Sequence, residues 1–291
     1  MKTKHIYLLF IVLALGMNSC TERIDIELDE TFARLIVEGN LTNDTMAHTV
    51  YLSETSSYYY NQPAPKVSGA QVRFIDDLGN AVELSETEAG TYQTPEDYYG
   101  EIGRTYELRI DLEEEIGGSK IYEASSKLVD VGALDSIRME FNSRFGNDGF
   151  WIVKLYALDP GGIENFYIFN VYKNKELMTD TLNKVSFTDD KLFDGNYTFG
   201  IGISYFNNSY DNQSFKMGDT VVLQMGGITK PHYTFLANMS EATSFQNPLF
   251  GGPPANVVGN ISGSGFGYFA AYSSTYGSLI ISEKTVDFTE K

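Results

Sequence analysis

The chain is poor in the residues from which most catalytic and metal sites are built. Its 291 residues include one cysteine, Cys20, and three histidines, His5, His48 and His232. One thiol excludes structural zinc of the Cys/His kind. A Cys–His nucleophilic pair is excluded as well. A Ser–His–Asp triad would have to draw on His48 or His232, and the sequence has no G-x-S-x-G nucleophile elbow. Each of these histidines is therefore expected to pack or to lie exposed. Basic residues are scarce too: 21 Lys and Arg stand against 39 Asp and Glu, for a net charge of −18. Such a field repels nucleic acid and anionic lipid heads, so no nucleic-acid partner is expected. No apolar run reaches the roughly 20 residues that span a bilayer as a helix.

What is present begins at the N-terminus. Lys2 and Lys4 precede an apolar run from Ile6 to Gly16, followed by Met17-Asn18-Ser19-Cys20. A short basic region, a short apolar region and a small residue describe an export signal. A lone cysteine directly after it resembles the lipobox of bacterial lipoproteins. That resemblance implies cleavage before Cys20 and attachment of lipid to Cys20, so that acyl chains hold the protein at a membrane. Residues 20–30, Cys-Thr-Glu-Arg-Ile-Asp-Ile-Glu-Leu-Asp-Glu, form an acidic tether. They also resemble the surface-export signal of Bacteroidota lipoproteins, and the two readings are compatible. Cleavage would leave about 270 residues, enough for two domains.

The remainder has the texture of an all-β protein: short segments, frequent turn residues, 20 Tyr, 19 Phe and 27 Gly. Tyr106, Leu108, Ile110 and Leu112 alternate with Glu107, Arg109 and Asp111, which predicts a strand with one buried face. Ala70, Val72 and Phe74 alternate likewise. The turn Asp77-Leu78-Gly79-Asn80 and the resumed alternation at Val82 and Leu84 predict a hairpin. Further strands are expected at 34–38, 50–53 and 120–124, giving a β-sandwich over residues 31–128. A β-rich second domain is expected over 129–291, with strands near 151–158, 166–172, 197–205 and 220–225. Several of these are apolar on both faces, so their sheet should be covered on both sides. One short helix is expected, with Pro231 in its first turn and Tyr233, Leu236, Ala237 and Ser240 on one face.

The most glycine-dense stretch, NVVGNISGSGFGYFAAYS at 256–273, is not a phosphate loop. It lacks the Gly-Lys-Ser/Thr ending of a Walker motif, and no Lys or Arg occurs from 231 to 282. Its glycines instead suit bulges and close backbone approach. Asp189 to Asn196 has acids and a glycine of the kind calcium loops use, but not the EF-hand spacing. It is read as a turn, and no metal or cofactor site is expected. Tyr58, Tyr59 and Tyr60, within SSYYYNQP, are the candidate ligand-binding residues, because three consecutive tyrosines cannot all face one side of a strand. A hairpin end whose tyrosines pack on their own sheet is the other reading. The loop YFNNSYDNQSF at 205–215 has the same two readings.

Three stretches carry a wider resemblance: RLIVEGNLTND with the PKVSGAQVRFIDDLGNAVELSETEAGTY segment, MGDTVVLQMGGITKPHYTFLANM, and NPLFGGPPANVVGNISGSGFGYFAAYS. In order and spacing they resemble a family of Bacteroidota lipoproteins known as domain of unknown function 4249. The resemblance covers nearly all of the chain after Cys20. It implies an N-terminal immunoglobulin-like or transthyretin-like sandwich before a larger β-rich part. It also implies an outer-membrane location and an accessory role beside a TonB-dependent transporter. The expectation is thus a non-enzymatic lipoprotein. The alternatives are a carboxylate-dependent hydrolase of glycans or peptides and a structural surface adhesin.

Overall fold

The computed structural model describes residues 33–56, 63–144, 148–244 and 257–289. The expected signal segment 1–19, Cys20, the tether 20–30 and Tyr58, Tyr59 and Tyr60 lie outside the described residues. The fold is mainly β, with one α-helix among the described residues.

Alternation sets the first strands. β1 (Leu35–Thr42), β2 (Thr49–Glu54), β3 (Gln71–Asp76), β4 (Ala81–Glu88), β5 (Thr91–Gln93), β6 (Thr105–Ile116) and β7 (Ser119–Lys127) follow one another along the chain. On β6, Tyr106, Leu108, Ile110 and Leu112 are buried and the residues between them are half-buried, as the period of two requires. β3 and β4 form the expected hairpin. Its turn is held by Asp76 Oδ1, which accepts from the backbone N–H groups of Leu78 and Asn80, both at 2.9 Å. Gly79 supplies the positive φ of 86° that this turn demands.

The second half supplies β8 (Leu134–Asn142), β9 (Phe150–Ala157), β10 (Phe166–Lys173), β11 (Glu176–Leu177), β12 (Ser186–Asp189), β13 (Ile201–Asn207), β14 (Thr220–Ile228), β15 (Phe266–Ile280) and β16 (Val286–Thr289). The helix α1 (Lys230–Thr243) lies between β14 and β15. Twelve strands join in one sheet, ordered β11-β10-β14-β15-β1-β2-β5-β4-β3-β6-β7, with β12 also on β10. β15 is the hinge of this order. Its first half runs parallel to β1, and its second half runs antiparallel to β14. The far end of the sheet returns to β15: Ser126 Oγ on β7 accepts from Ala271 N at 2.9 Å, and Val129 bridges to Tyr272.

Two main cores result. The first holds Leu35, Val37, Phe74, Leu108 and Tyr122, and is completed by Ile261, Phe269 and Ala271 from the C-terminal part of the chain. The second lies between the β10-β14-β15 part of the large sheet and a four-stranded sheet ordered β13-β9-β8-β16. Val171, Val221 and Leu223 meet Met139, Trp151 and Val153 there. Each such side chain, fully buried, contributes roughly 1.5–3 kcal/mol.

The opposite face of β10-β14-β15 carries α1 over Phe166, Ile168, Ile228 and Tyr272. This part of the sheet is therefore covered on both sides, as its doubly apolar strands predict. α1 carries the expected Pro231 in its first turn, with Thr229 Oγ1 accepting from His232 N. Its sheet-facing side is rotated from the expected one. Tyr233 and Leu236 do pack inward, but the buried residue of the helix is His232, stacked on Tyr268 at 4.8 Å. Burial pushes the His232 imidazole down to a pKa of about 4.

The glycine-dense stretch does what its composition predicts. A Cβ on Gly267 would stand 1.9 Å from Val37 O, and one on Gly259 would stand 1.7 Å from Gly267 O. Three backbones thus pass with no room for a side chain. Asn260 fastens the crossing: its side chain accepts from Phe269 N at 2.9 Å and donates to Phe269 O at 2.8 Å.

Candidate functional site

α1 covers only one half of its sheet face. On the other half, register brings a polar and aromatic row together. Asn170 on β10 pairs with Gln224 on β14, and Gln224 pairs with Tyr276 on β15. Directly opposed residues of antiparallel strands emerge on the same side, so these three share one face. The turn after β1 adds Asp44 at the row's end. Tyr276 donates from its hydroxyl to Asp44 Oδ2 at 2.7 Å and accepts from Gln224 Nε2 at 2.9 Å. Gln224 also donates to Ser274 Oγ at 2.9 Å, and its Oε1 accepts from Asn170 Nδ2 at 3.0 Å and Tyr172 Oη at 3.4 Å.

The row is a shelf rather than a cleft. Gln224 is buried, while Tyr276 is 47% exposed and presents its ring to solvent. Burial, reinforced by the hydrogen bond to Asp44, raises the Tyr276 hydroxyl above the ordinary phenol range. Burial does the same for Tyr172. Both phenols stay protonated at neutral pH, as donors rather than bases. His48 anchors the Asp44 turn from below: its Nε2 lies 3.1 Å from Asp44 O and donates to it when Nδ1 accepts from Thr42 N at 3.4 Å. Burial lowers the His48 pKa, so the neutral imidazole that this arrangement needs is favoured. The shelf can hydrogen-bond and stack. It offers no nucleophile–base pair.

A second group of side chains joins two loops. Asp159, Asp190 and Asp194 each place a carboxylate oxygen within 4.8 Å of the others, and Asp159 and Asp190 are buried. These are the residues that could hold a hard cation. Each carboxylate also accepts from the opposite loop. Asp159 takes Gly195 N at 3.0 Å and the Tyr167 hydroxyl, Asp190 takes Asn165 N at 2.6 Å, and Asp194 takes Gly162 N at 2.7 Å. The segment 189–196 is a turn, as expected, but its acids act in concert with Asp159, some 30 positions earlier in the sequence. The pinned loop walls a cleft of about 460 Å³ that also includes Asp130, Glu164 and Lys230. Glu164 is held in an ion pair with Lys230 at 3.0 Å, and Asp130 Oδ1 accepts from Gly132 N at 3.3 Å.

Of the expected sites, Tyr58, Tyr59, Tyr60 and Cys20 lie outside the described residues. The loop 205–215 divides: Phe206 and Phe215 are buried in the second core, while Tyr205 and Tyr210 are 60% and 57% exposed. His48 and His232 both pack. The Asn170–Gln224–Tyr276 row was not singled out in the sequence. Its only sequence signal is a polar residue in an otherwise apolar run, such as Gln224 within VVLQMGG.

A family model described as "Domain of unknown function (DUF4249)" matches residues 21–277. No curated protein matches the chain. Among solved structures, a DUF4785 family protein from Legionella pneumophila is similar at 13% identity, over 68% of this chain and 54% of that one, with a TM-score of 0.25. The chain spans about half the length of that structure.

Proposed function

The chain belongs to the DUF4249 family, and from that premise we propose that it is a non-enzymatic lipoprotein of the outer membrane that binds a ligand as an accessory to nutrient uptake. Lipid on Cys20 tethers it, facing outward, and a TonB-dependent transporter is its partner. The observation that carries the binding role is the shelf. An exposed tyrosine ring, a carboxylate and amides are held rigid by mutual hydrogen bonds on a sheet, where rotamers are fixed before any ligand arrives. Such a surface suits neutral, hydroxyl-rich or amide-rich ligands, which stack on the ring and bond to its polar border.

The test is native purification of C-terminally tagged protein from gently solubilised outer membranes, with glycan and peptide arrays applied to the product. A stoichiometric transporter and array binding that Tyr276→Ala abolishes are the expected results. A solitary protein whose array profile is unchanged by Tyr276→Ala would overturn the binding role. Cys20→Ala should release the protein from membranes, and continued retention of that variant without a partner would sink the lipid anchor.

A further inference from the structure

The polar groups of the shelf are unequally engaged. Gln224 gives one amide hydrogen to Ser274 Oγ and the other to Tyr276 Oη, while its Oε1 takes Asn170 and Tyr172. The hydroxyl hydrogens of Tyr276 and Tyr172 are likewise engaged, on Asp44 and on Gln224. Asn170 Oδ1 accepts from Thr179 Oγ1 at 3.2 Å. A side-chain amide carries two hydrogens, so Asn170 keeps one, the last side-chain donor of its row.

Acceptors are left in excess. Asp44 Oδ2 takes the hydroxyls of Thr42 at 2.9 Å and Tyr276 at 2.7 Å. Asp44 Oδ1 has no partner among the described residues and is not enclosed. The Tyr172 oxygen, which donates to Gln224, keeps lone pairs. Asp44 Oδ1 is the strongest of these acceptors, since a hydrogen bond to an ionised group is roughly twice as strong as a neutral one. Beside it stands the exposed ring of Tyr276.

A ligand for this face must bring donors and a flat apolar surface together. A peptide brings a carbonyl with every N–H, and the one remaining Asn170 hydrogen cannot meet several carbonyls. Each carbonyl turned to the shelf without a donor is a net loss. An ammonium brings donors but no extended face for the ring, and the groups already on Asp44 Oδ2 are neutral hydroxyls. A sugar meets both needs. Its hydroxyls donate to acceptors while their lone pairs stay with water, and its C–H face stacks on an aromatic ring. The surface also continues. Tyr172, Val222 and Ser278 form the next row on the same face, roughly 7 Å along the strands, and Ser278 is exposed.

On the reading that the shelf is the binding face, we propose that its ligand is a neutral carbohydrate chain. One sugar ring stacks on Tyr276, with hydroxyls donating to Asp44 Oδ1 and to the Tyr172 oxygen. The spare Asn170 hydrogen goes to a sugar oxygen, and the next sugar lies over the row that ends at Ser278.

The probes are neutral oligosaccharides of glucose, mannose, galactose and xylose, a capped neutral peptide, and a polyamine. Each is titrated against the detergent-solubilised full chain, by calorimetry for affinity and by NMR of the tyrosine rings for location. An oligosaccharide should bind saturably, shift the Tyr276 ring and hold its affinity as salt rises, since no ion pair forms. Asp44→Asn should lose at least about tenfold in affinity with its melting temperature little changed. A deoxy sugar lacking the contacting hydroxyl should lose about tenfold against the parent and little against Asp44→Asn, the mark of a direct contact. Peptide binding that Tyr276→Ala abolishes, without sugar binding, overturns the carbohydrate assignment and leaves the shelf as a binding face. Polyamine binding that fades with salt does the same. Sugar binding indifferent to both variants overturns the assignment. If no probe shifts the Tyr276 ring, the shelf reading itself fails.

Discussion

Gly267→Ala isolates the price of the backbone crossing, and Gly79→Ala is its control. Both glycines have positive φ, 98° and 86°. An alanine forced into the left-handed region costs about 1–2 kcal/mol more than glycine. At Gly79 that is the whole effect, because a Cβ there meets nothing within 4 Å. At Gly267 the Cβ would lie 1.9 Å from Val37 O, and real Cβ atoms stay beyond 3.0 Å, so about 1 Å must be found. Gly267 cannot yield on the other side, where the backbone of Gly259 is already in contact with it. The separation must come from the β1–β15 pairing, which runs from Ile36↔Phe266 to Thr42↔Tyr272. Losing two or three ladder hydrogen bonds at about 1 kcal/mol each brings the total to roughly 3–5 kcal/mol. That is a large fraction of the roughly 5–15 kcal/mol that holds a domain folded. Equilibrium urea unfolding of the two variants measures the difference directly. If Gly267→Ala costs no more than Gly79→Ala, the crossing is not sterically closed and the account of the glycine-dense stretch is wrong.

Acid should destabilise the fold through His232. Its folded pKa of about 4 lies below the ordinary imidazole value of 6.5, so above pH 6.5 both states are neutral and nothing is lost. As pH falls from 6.5 towards 4, the unfolded chain takes up a proton that the native imidazole refuses, and stability drops by roughly 2–3 kcal/mol. His232→Phe, which can still stack on Tyr268, should flatten the urea midpoint between pH 7 and pH 4.5 relative to the parent; an unchanged slope would refute the assignment. Asp159→Ala leaves the Tyr167 hydroxyl and Gly195 N–H without their acceptor, and should cost roughly 2–4 kcal/mol by thermal melting. Tyr167→Phe should cost less, and equal costs would show that the carboxylate does not bridge the two loops. Gln224→Leu should cost roughly 2–3 kcal/mol and broaden the Tyr276 ring resonances, since it removes the bonds that hold the row; a neutral outcome would mean that the row is not preorganised.

Much of the fold was legible because one face of each early strand is dry and the other wet. β6 and the β3–β4 hairpin follow from alternation and from the Asp-Leu-Gly-Asn turn. The role of the glycines followed from their lack of a basic partner. Other features depended on contacts between distant residues. The strand expected at 197–205 instead begins at Ile201, because Phe199 and Gly200 both have positive φ and break the extended run. The inward turn of His232 depends on where Tyr268 stands, and a helical wheel does not contain that information. The shelf exists only through register: Gln224 reads as one polar interruption until β10 and β15 place Asn170 and Tyr276 on either side of it. Asp159 likewise gains meaning only once its loop meets 189–196.

The placement of β15 also fixes an order in time. A chain synthesised N-terminus first presents β1 to β7 long before residues 266–272 arrive. Until then β1 lacks its parallel neighbour, and the first core lacks Ile261, Phe269 and Ala271. Its early strands must wait with an open edge and an unsealed core, exposed to wrong pairing. The first sandwich is therefore first to be made and among the last to be finished, and a fragment ending near residue 128 should be aggregation-prone rather than an independent domain.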